Sequence, residues 1–114
     1  MLDKIYEQLL SFGYPVEYGK CKKDYPVWNY IVYGRKNVSK VEQRDFADRY
    51  FVAIVLENYI PEGFDKEVIR RMESIPGLKL SRGEHEYDYT TNGKNNNVIE
   101  ILVLEFVKVN RRKC

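Results

Sequence analysis

Two long segments carry most of the hydrophobic residues of the chain, and both alternate as β-strands do. In residues 49–61, RYFVAIVLENYIP, one side of a period-two pattern holds Tyr50, Val52, Ile54, Leu56 and Ile60. The other side is apolar in its middle and polar at its ends, which is typical of a face that a second layer covers only in part. Residues 98–109, VIEILVLEFVKV, are apolar on both sides apart from two glutamates and one lysine. We expect these segments to be the central strands of a sheet.

Two other segments repeat their hydrophobic residues at helical spacing. Residues 2–12 do so and end at Gly13, a position where glycine is common after a helix. Residues 65–75 do so after Asp65, which we expect to cap the helix, and they stop before Pro76. The pattern predicts two amphipathic helices.

Shorter apolar runs predict the remaining strands. Residues 16–18 form one, and residues 27–33, VWNYIVY, form a second that we expect to pair with the first. A later strand begins at Leu78, where its apolar residues have even numbers, whereas the tyrosines at 87 and 89 have odd numbers. A bulge at Gly83 would place all of them on one face of the strand. A polar run at 92–97 then connects this strand to the last one as a hairpin.

The resulting order, α-β-β-β-α-β-β, defines the expected fold. We predict a two-layer α+β domain spanning residues 1–114, with one mostly antiparallel sheet of about five strands. Both helices are expected on the face that carries Ile54. A chain of 114 residues fits one domain and buries enough surface for a core without disulfide support.

Residues 35–48, RKNVSKVEQRDFAD, separate two of the predicted strands and are mostly polar or charged. They are too many for an ordinary hairpin turn, so we predict a long hairpin arm or a mobile loop. Connections of this length in compact domains tend to be functional or disordered. We expect the arm to add little to stability. The candidate interaction residues of the arm are Arg35, Lys36, Lys40 and Arg44.

Composition changes this picture in two respects. Charged residues make up 32% of the chain, above the average of roughly 25%, so we expect an ionic surface. Aromatic residues reach 14%, with ten tyrosines, which suits either a thin two-layer domain or an interaction surface.

No apolar run approaches the roughly 18 residues of a membrane span, and two cysteines do not make a disulfide scaffold. We therefore expect a cytosolic protein with no membrane partner.

Catalytic and metal-binding motifs are not recognisable in the sequence. His85 is the single histidine, and alternation places it on the strand face opposite Glu84 and Glu86. No glycine-rich phosphate loop precedes a helix, and no serine lies in a nucleophile elbow. We expect no enzymatic activity, no cofactor and no metal site.

A nucleic-acid-binding function is the main alternative. Trp28, Tyr30 and Tyr33 could form a stacking platform next to basic residues at 22, 23, 35 and 36. However, the net charge of +2 is mild, and the element order differs from that of an RNA-recognition fold. This alternative is a small cytosolic nucleic-acid-binding α+β module. A monomeric domain with solvated loops is a further one.

The element order and several local features resemble the small tail-completion (tail-terminator) and head–tail joining proteins of long-tailed bacteriophages. The resemblance covers nearly the whole chain. The features that carry it are the opening helix at 2–12, the aromatic strand beginning YPVWNY at 25–30, the strand at 49–60, the capped helix at 65–75 and the charged arm.

This resemblance implies a non-enzymatic virion protein that assembles in the host cytoplasm. Proteins of this kind form rings, often hexameric, that complete the tail or join it to the head as neck or minor capsid components. The implied partners are other copies of the chain and the tail tube or neck proteins, with DNA in the lumen within reach of the arm. The aromatic residues Trp28, Tyr30 and Tyr33 are then candidates for the interface between subunits.

Overall fold

The computed structural model describes residues 1–40 and 45–111, with the backbone alone described at 39–40, 45–46 and 109–111. Two helices and six strands follow one another in the order αβββαβββ. They are α1 (Leu2–Leu10), β1 (Val16–Tyr18), β2 (Tyr30–Lys40), β3 (Asp45–Glu57), α2 (Phe64–Glu73), β4 (Leu78–Leu80), β5 (Tyr87–Thr91) and β6 (Val98–Arg111).

All six strands form one sheet in the order β1-β2-β3-β6-β4, and β5 pairs with β6 on the same side as β4. β1 runs parallel to β2, and every other pairing is antiparallel. The α+β class is therefore as predicted, and β1 does pair with β2. The predicted count of five strands and the order αβββαββ were wrong.

The extra strand comes from a break in the segment predicted as one strand from Leu78 to Tyr89. Leu80 pairs with Phe106 of β6, and Tyr87 pairs with Leu102 of the same strand. Residues 81–86 thus span only residues 103–105 of the partner, so they leave the ladder, and Gly83 within them adopts a φ of 111°. The apolar residues do shift from even to odd positions, and this shift keeps them all on one face of the sheet. It is produced by a loop between two strands and not by a bulge within one strand.

The core lies between the helices and one face of the sheet. Ile5 and Leu9 of α1 and Val68 and Met72 of α2 pack, fully buried, in one cluster with Ile54. The same face contributes Tyr50, Val52 and Leu56 from β3 and Leu102, Leu104 and Phe106 from β6. The prediction that both helices cover this face is confirmed.

The start of α2 differs from the sequence prediction. Gly63, with a φ of 86°, is the N-cap, and the helix begins at Phe64. Asp65 lies inside the first turn, where its carboxylate faces the positive end of the helix dipole. It does not cap the helix.

Beyond the core, three strands continue as a projecting arm. β2 and β3 pair from Asn37↔Arg49 to Lys40↔Phe46, and β6 accompanies β3 as far as Asp45↔Arg111. The chain accordingly measures 56 × 25 × 24 Å. The predicted hairpin arm therefore exists, with residues 41–44 outside the described part. In the described part of the arm, the residues continue the ladders of β2 with β3 and of β3 with β6.

The two helices of the described residues have 9 and 10 residues, which is too short to cross a bilayer.

Candidate assembly surfaces

The base of the arm places its first two basic residues on different faces of the sheet. The register of β2 shifts between Arg35 and Asn37, so Lys36 lies in an irregularity. Arg35 pairs with Tyr50, on the helix-covered face. The Lys36 ammonium reaches the opposite face, where it forms an ion pair with Glu105 of β6. Lys36 therefore ties β2 to β6 across β3.

Of the other two predicted arm residues, Lys40 lies farther along the arm. Lys40 is the last residue of β2, where its backbone pairs with that of Phe46. Arg44 lies outside the described residues. Arg35, Lys36 and Lys40 thus follow one another along β2, and the side chains of Arg35 and Lys36 lie on opposite faces of the sheet.

An open cleft of about 410 Å³ lies where the arm meets the start of α1. Arg35 lines it together with acidic residues, Asp3 and Asp48, and with the first two residues of the chain. The amino group of Met1 lies 3.9 Å from the Asp3 carboxylate. The cleft therefore mixes both signs of charge and does not select an anionic or a cationic ligand.

The three predicted interface aromatics do not form one surface. Tyr33 lies on the helix-covered face, only 8% exposed, with its ring 5.9 Å from that of Tyr6 and 5.4 Å from that of Tyr18. Burial raises the pKa of the Tyr33 hydroxyl above its ordinary value, with smaller contributions from Tyr6 and Tyr18. Tyr33 is thus a core residue and is not available to a partner.

Trp28 and Tyr30 do lie together, on the other side of the sheet. They line a small depression of about 150 Å³ with Cys21 and Tyr25, and Tyr25 stacks on Tyr30 at 5.9 Å. The Tyr25 hydroxyl donates to Glu17 at 3.3 Å. Burial, and secondarily Cys21, raises the pKa of Tyr30. The stacking platform predicted from three aromatics is therefore reduced to Trp28 and Tyr30.

The outer face of the sheet, opposite the helices, carries an apolar strip in its middle. Ala53 pairs with Val103 and Phe51 with Glu105, so these side chains share that face. Val103 is 40% exposed, and Phe51 and Ala53 are half-buried. The Phe51 ring lies over Gly34, where an added Cβ would be 2.9 Å from it. The strip is consistent with the partly apolar outer face that the sequence predicted.

A buried polar network at the end of β3 was missed at the sequence level. Glu57 is only 9% exposed, and its carboxylate accepts hydrogen bonds from Asn92 at 2.8 Å and Asn95 at 2.7 Å. Its backbone N–H donates to the Asn29 side chain at 2.9 Å. These bonds tie the 92–97 turn and the segment before β2 to the end of β3.

The same network determines the acidity of Glu57. The amide N–H groups of Asn95, and secondarily Asn92, hold the pKa of the Glu57 carboxyl below its ordinary value, against the opposing effect of burial. Each donor stabilises the ionised carboxylate without a paired cation. The signal in the sequence was the asparagine run at 92–97, but its partner lies 35 residues away and cannot be found from spacing.

A second buried carboxylate lies near this end of the sheet. Glu100, 9% exposed, accepts a hydrogen bond from the backbone N–H of Ile60 at 2.7 Å. A hydrogen bond to Glu100 raises the pKa of Tyr89. Glu100 and Glu57 lie on opposite faces, since Glu100 pairs with Leu56. Both carboxylates have donors that account for their burial, and neither lines a cleft that would admit a substrate.

Within the described residues, no group of three or more His, Cys, Asp and Glu side chains is placed to hold a metal ion. The described residues present three surface features: a projecting arm, an apolar outer strip and the edges of the sheet.

No protein-family model matches the sequence, and no curated protein sequence matches it. Several chains of known structure are similar to this one, and for one of them the alignment covers 100% of this chain and 99% of the other. Its sequence identity is 14% and its TM-score is 0.44. A likeness of this degree assigns neither a family nor a function.

Proposed function

We propose that the chain is a non-enzymatic virion assembly protein, which forms a ring at the end of a phage tail or at the neck. In this role it completes the tail or joins it to the head. The proposal rests first on the resemblance noted in the sequence, of which the opening helix, the long strand after residue 49, the second helix and the arm are also elements of the described fold. Ring formation in the host cytoplasm, incorporation into the virion and contact with tail-tube or neck proteins belong to the same proposal.

One structural observation supports it more than the others, and that is the arm. The radius of gyration is 15.3 Å, whereas a compact domain of about 100 residues has roughly 13 Å. Among the residues whose side chains are described, none between 34 and 49 belongs to the cluster packed against the helices, although Ala47 is buried elsewhere on the sheet. An arm of this kind is suited to reach past the subunit that carries it.

The outer face of the sheet provides the second support. Val103 and its half-buried neighbours Phe51 and Ala53 form a modest apolar strip beside the Lys36–Glu105 ion pair. Interfaces between subunits commonly combine such an apolar centre with a polar rim. A ring requires contacts between unlike surfaces of neighbouring copies, and an arm and a strip are unlike surfaces.

Size-exclusion chromatography with light scattering, followed by negative-stain imaging with tail tubes of the same virus, tests the proposal. We expect a concentration-dependent oligomer, or a ring that appears once tubes are added. A chain that remains monomeric and never binds tubes or necks would defeat the proposal. If that monomer instead bound a labelled oligonucleotide in a steeply salt-sensitive way, the nucleic-acid-binding alternative would replace it.

A further inference from the structure

The two edges of the sheet have opposite charge. β1 forms one edge, and it leads directly into a lysine-rich segment. β5 forms the other edge beside β6, and acidic residues precede and occupy it. We define the basic edge as β1 with Lys20, Lys22 and Lys23. We define the acidic edge as β5 with Glu84, Glu86 and Asp88.

All six of these charged side chains are exposed, and none forms an ion pair with another described residue. The charges of both edges are therefore available to a partner. Opposite charges on opposite edges favour contact between unlike edges over contact between like ones, because like charges that meet at an interface oppose association.

Both edges also present backbone groups that can pair with another strand. On the basic edge, the Pro15 carbonyl and the Gly19 N–H bond to β2, so the groups of Val16 and Tyr18 point the other way. Apart from the Tyr18 carbonyl, which accepts from Lys20, no described backbone group bonds to them. A strand edge with free N–H and C=O groups is a template for pairing.

On the acidic edge the same alternation applies. Asn92 donates its N–H to the Asn97 carbonyl at the closed end of the β5–β6 hairpin. The backbone groups of Tyr87, Tyr89 and Thr91 therefore point away from β6. All five residues of β5 are exposed, so the edge is open along its whole length.

The two edges lie at the ends of one row of the sheet. Val16 pairs with Ile31, Ile31 with Ile54, Ile54 with Leu102, and Leu102 with Tyr87. Because β1 and β6 run in the same direction and β5 opposes β6, the two edge strands are antiparallel to each other. Two copies placed side by side in the same orientation would thus bring β5 of one against β1 of the next as an antiparallel pair.

Side chains and charges agree with this antiparallel arrangement. Tyr18, 48% exposed, and Tyr87 and Tyr89, 41% and 64% exposed, all lie on the helix-covered face. Aromatic pairs across neighbouring strands stabilise a sheet. In an antiparallel pair, the residues after β1 lie beside the residues before β5. The lysines of one copy would then meet Glu84 and Glu86 of the next.

We propose that copies of this chain join head to tail through their sheet edges, with the acidic edge of one copy paired to the basic edge of its neighbour. This inference rests on the proposed ring and specifies its interface. It makes the contact heterologous, as closure of a ring requires, and it continues the sheet from one subunit to the next.

Two charge-reversal variants test the inference. The first, Lys22→Glu with Lys23→Glu, makes both edges acidic, and the second, Glu84→Lys with Glu86→Lys, makes both edges basic. We expect each alone to associate at least about tenfold more weakly than wild type by light scattering, since like charges then meet. An equimolar mixture of the two should assemble again, because every contact between unlike variants is complementary.

A matched control reverses two exposed helix lysines that form no ion pair, Lys4→Glu with Lys66→Glu, and changes net charge as the first variant does. It should assemble like wild type. Tyr89→Pro gives a second test, because it removes an N–H that points away from β6, at an edge position where proline is tolerated. This variant should fold and remain monomeric.

The outcomes separate the inference from the proposed function. If wild type assembles and both reversal variants assemble equally well, the edge contact is wrong while the ring proposal stands. Reversal variants that are monomeric both alone and mixed would also overturn the head-to-tail pairing. A wild-type chain that remains monomeric with and without tail tubes would overturn the edge contact and the proposed function together.

Discussion

Among single residues, Glu57 is a buried carboxylate whose ionised form the fold stabilises through hydrogen bonds. Hydrogen bonds from Asn95 and Asn92 lower its pKa below the ordinary 4.5. A carboxyl whose folded pKa is lowered stabilises the protein above its unfolded pKa, and this stability is lost as pH falls through the folded pKa. We expect Glu57→Gln to be less stable than wild type near neutral pH, with the difference shrinking below about pH 4. Urea midpoints measured across this pH range check the expectation.

Glu67 requires a separate measurement, because its pKa is lowered as well, by hydrogen bonds from Arg70 and by the positive charge of that side chain. Glu67 is part of an exposed helix network, so Glu67→Gln should change the pH profile less than Glu57→Gln does. If the difference in urea midpoint between wild type and Glu57→Gln stayed constant from neutral to acid pH, the lowered pKa of Glu57 would not contribute to stability.

Ile54 tests the position of the core. It is fully buried between the sheet and both helices. Ile54→Ala should destabilise the protein by about 2–5 kcal/mol, because a large-to-small change in a core loses burial and leaves a cavity. Val103→Ala, on the exposed outer face of the neighbouring strand, should cost about 0.5 kcal/mol or less. Equal urea midpoints for the two variants would contradict the assignment of faces.

Among elements, the helices and the two long strands could be predicted because each buries one regular face. The sequence left a hairpin arm and a mobile loop as alternatives. The arm residues after Arg35 in β2 and before Arg49 in β3 have no apolar side that repeats with period two. β5 has five exposed residues, so its pattern gave no separate strand. Tyr33 lies on the face opposite Tyr30 because the two are three residues apart, and residues an odd number apart in a strand point to opposite faces. Trp28 lies in the segment before the strand. The Glu57 network depends on tertiary proximity that no local pattern reports.

The Lys36–Glu105 ion pair links β2 to β6 at the root of the arm. Its side chains are 45% and 31% exposed, so solvent screens the interaction and its contribution should be about 1 kcal/mol or less. Lys36→Glu should lower the urea midpoint modestly, and adding Glu105→Lys should restore it. If a double-mutant cycle gave no coupling energy, the interaction between Lys36 and Glu105 would contribute nothing to stability.

For the whole molecule, the arm should be separable from the core. We expect a variant with residues 39–47 replaced by Asn-Gly to fold, because Val38 and Asp48 are partners in the ladder and a two-residue turn can join such a pair. Ala47, the one residue of the replaced segment whose burial is described, is buried but does not belong to the cluster packed against the helices. X-ray scattering should show a radius of gyration below the present 15.3 Å, closer to that of a compact domain.

Function should respond differently from folding in this shortened variant. The sheet edges of β1 and β5 lie away from the arm, so self-association through them should persist in light scattering. Completion of tails should fail, because the element that reaches beyond the subunit is gone. Infectious-particle yield from a virus carrying the shortened arm, compared with that from the Lys4→Glu and Lys66→Glu control, measures this loss. A normal yield would show that the arm has no role in assembly and would leave the edges and the outer face as the surfaces that act.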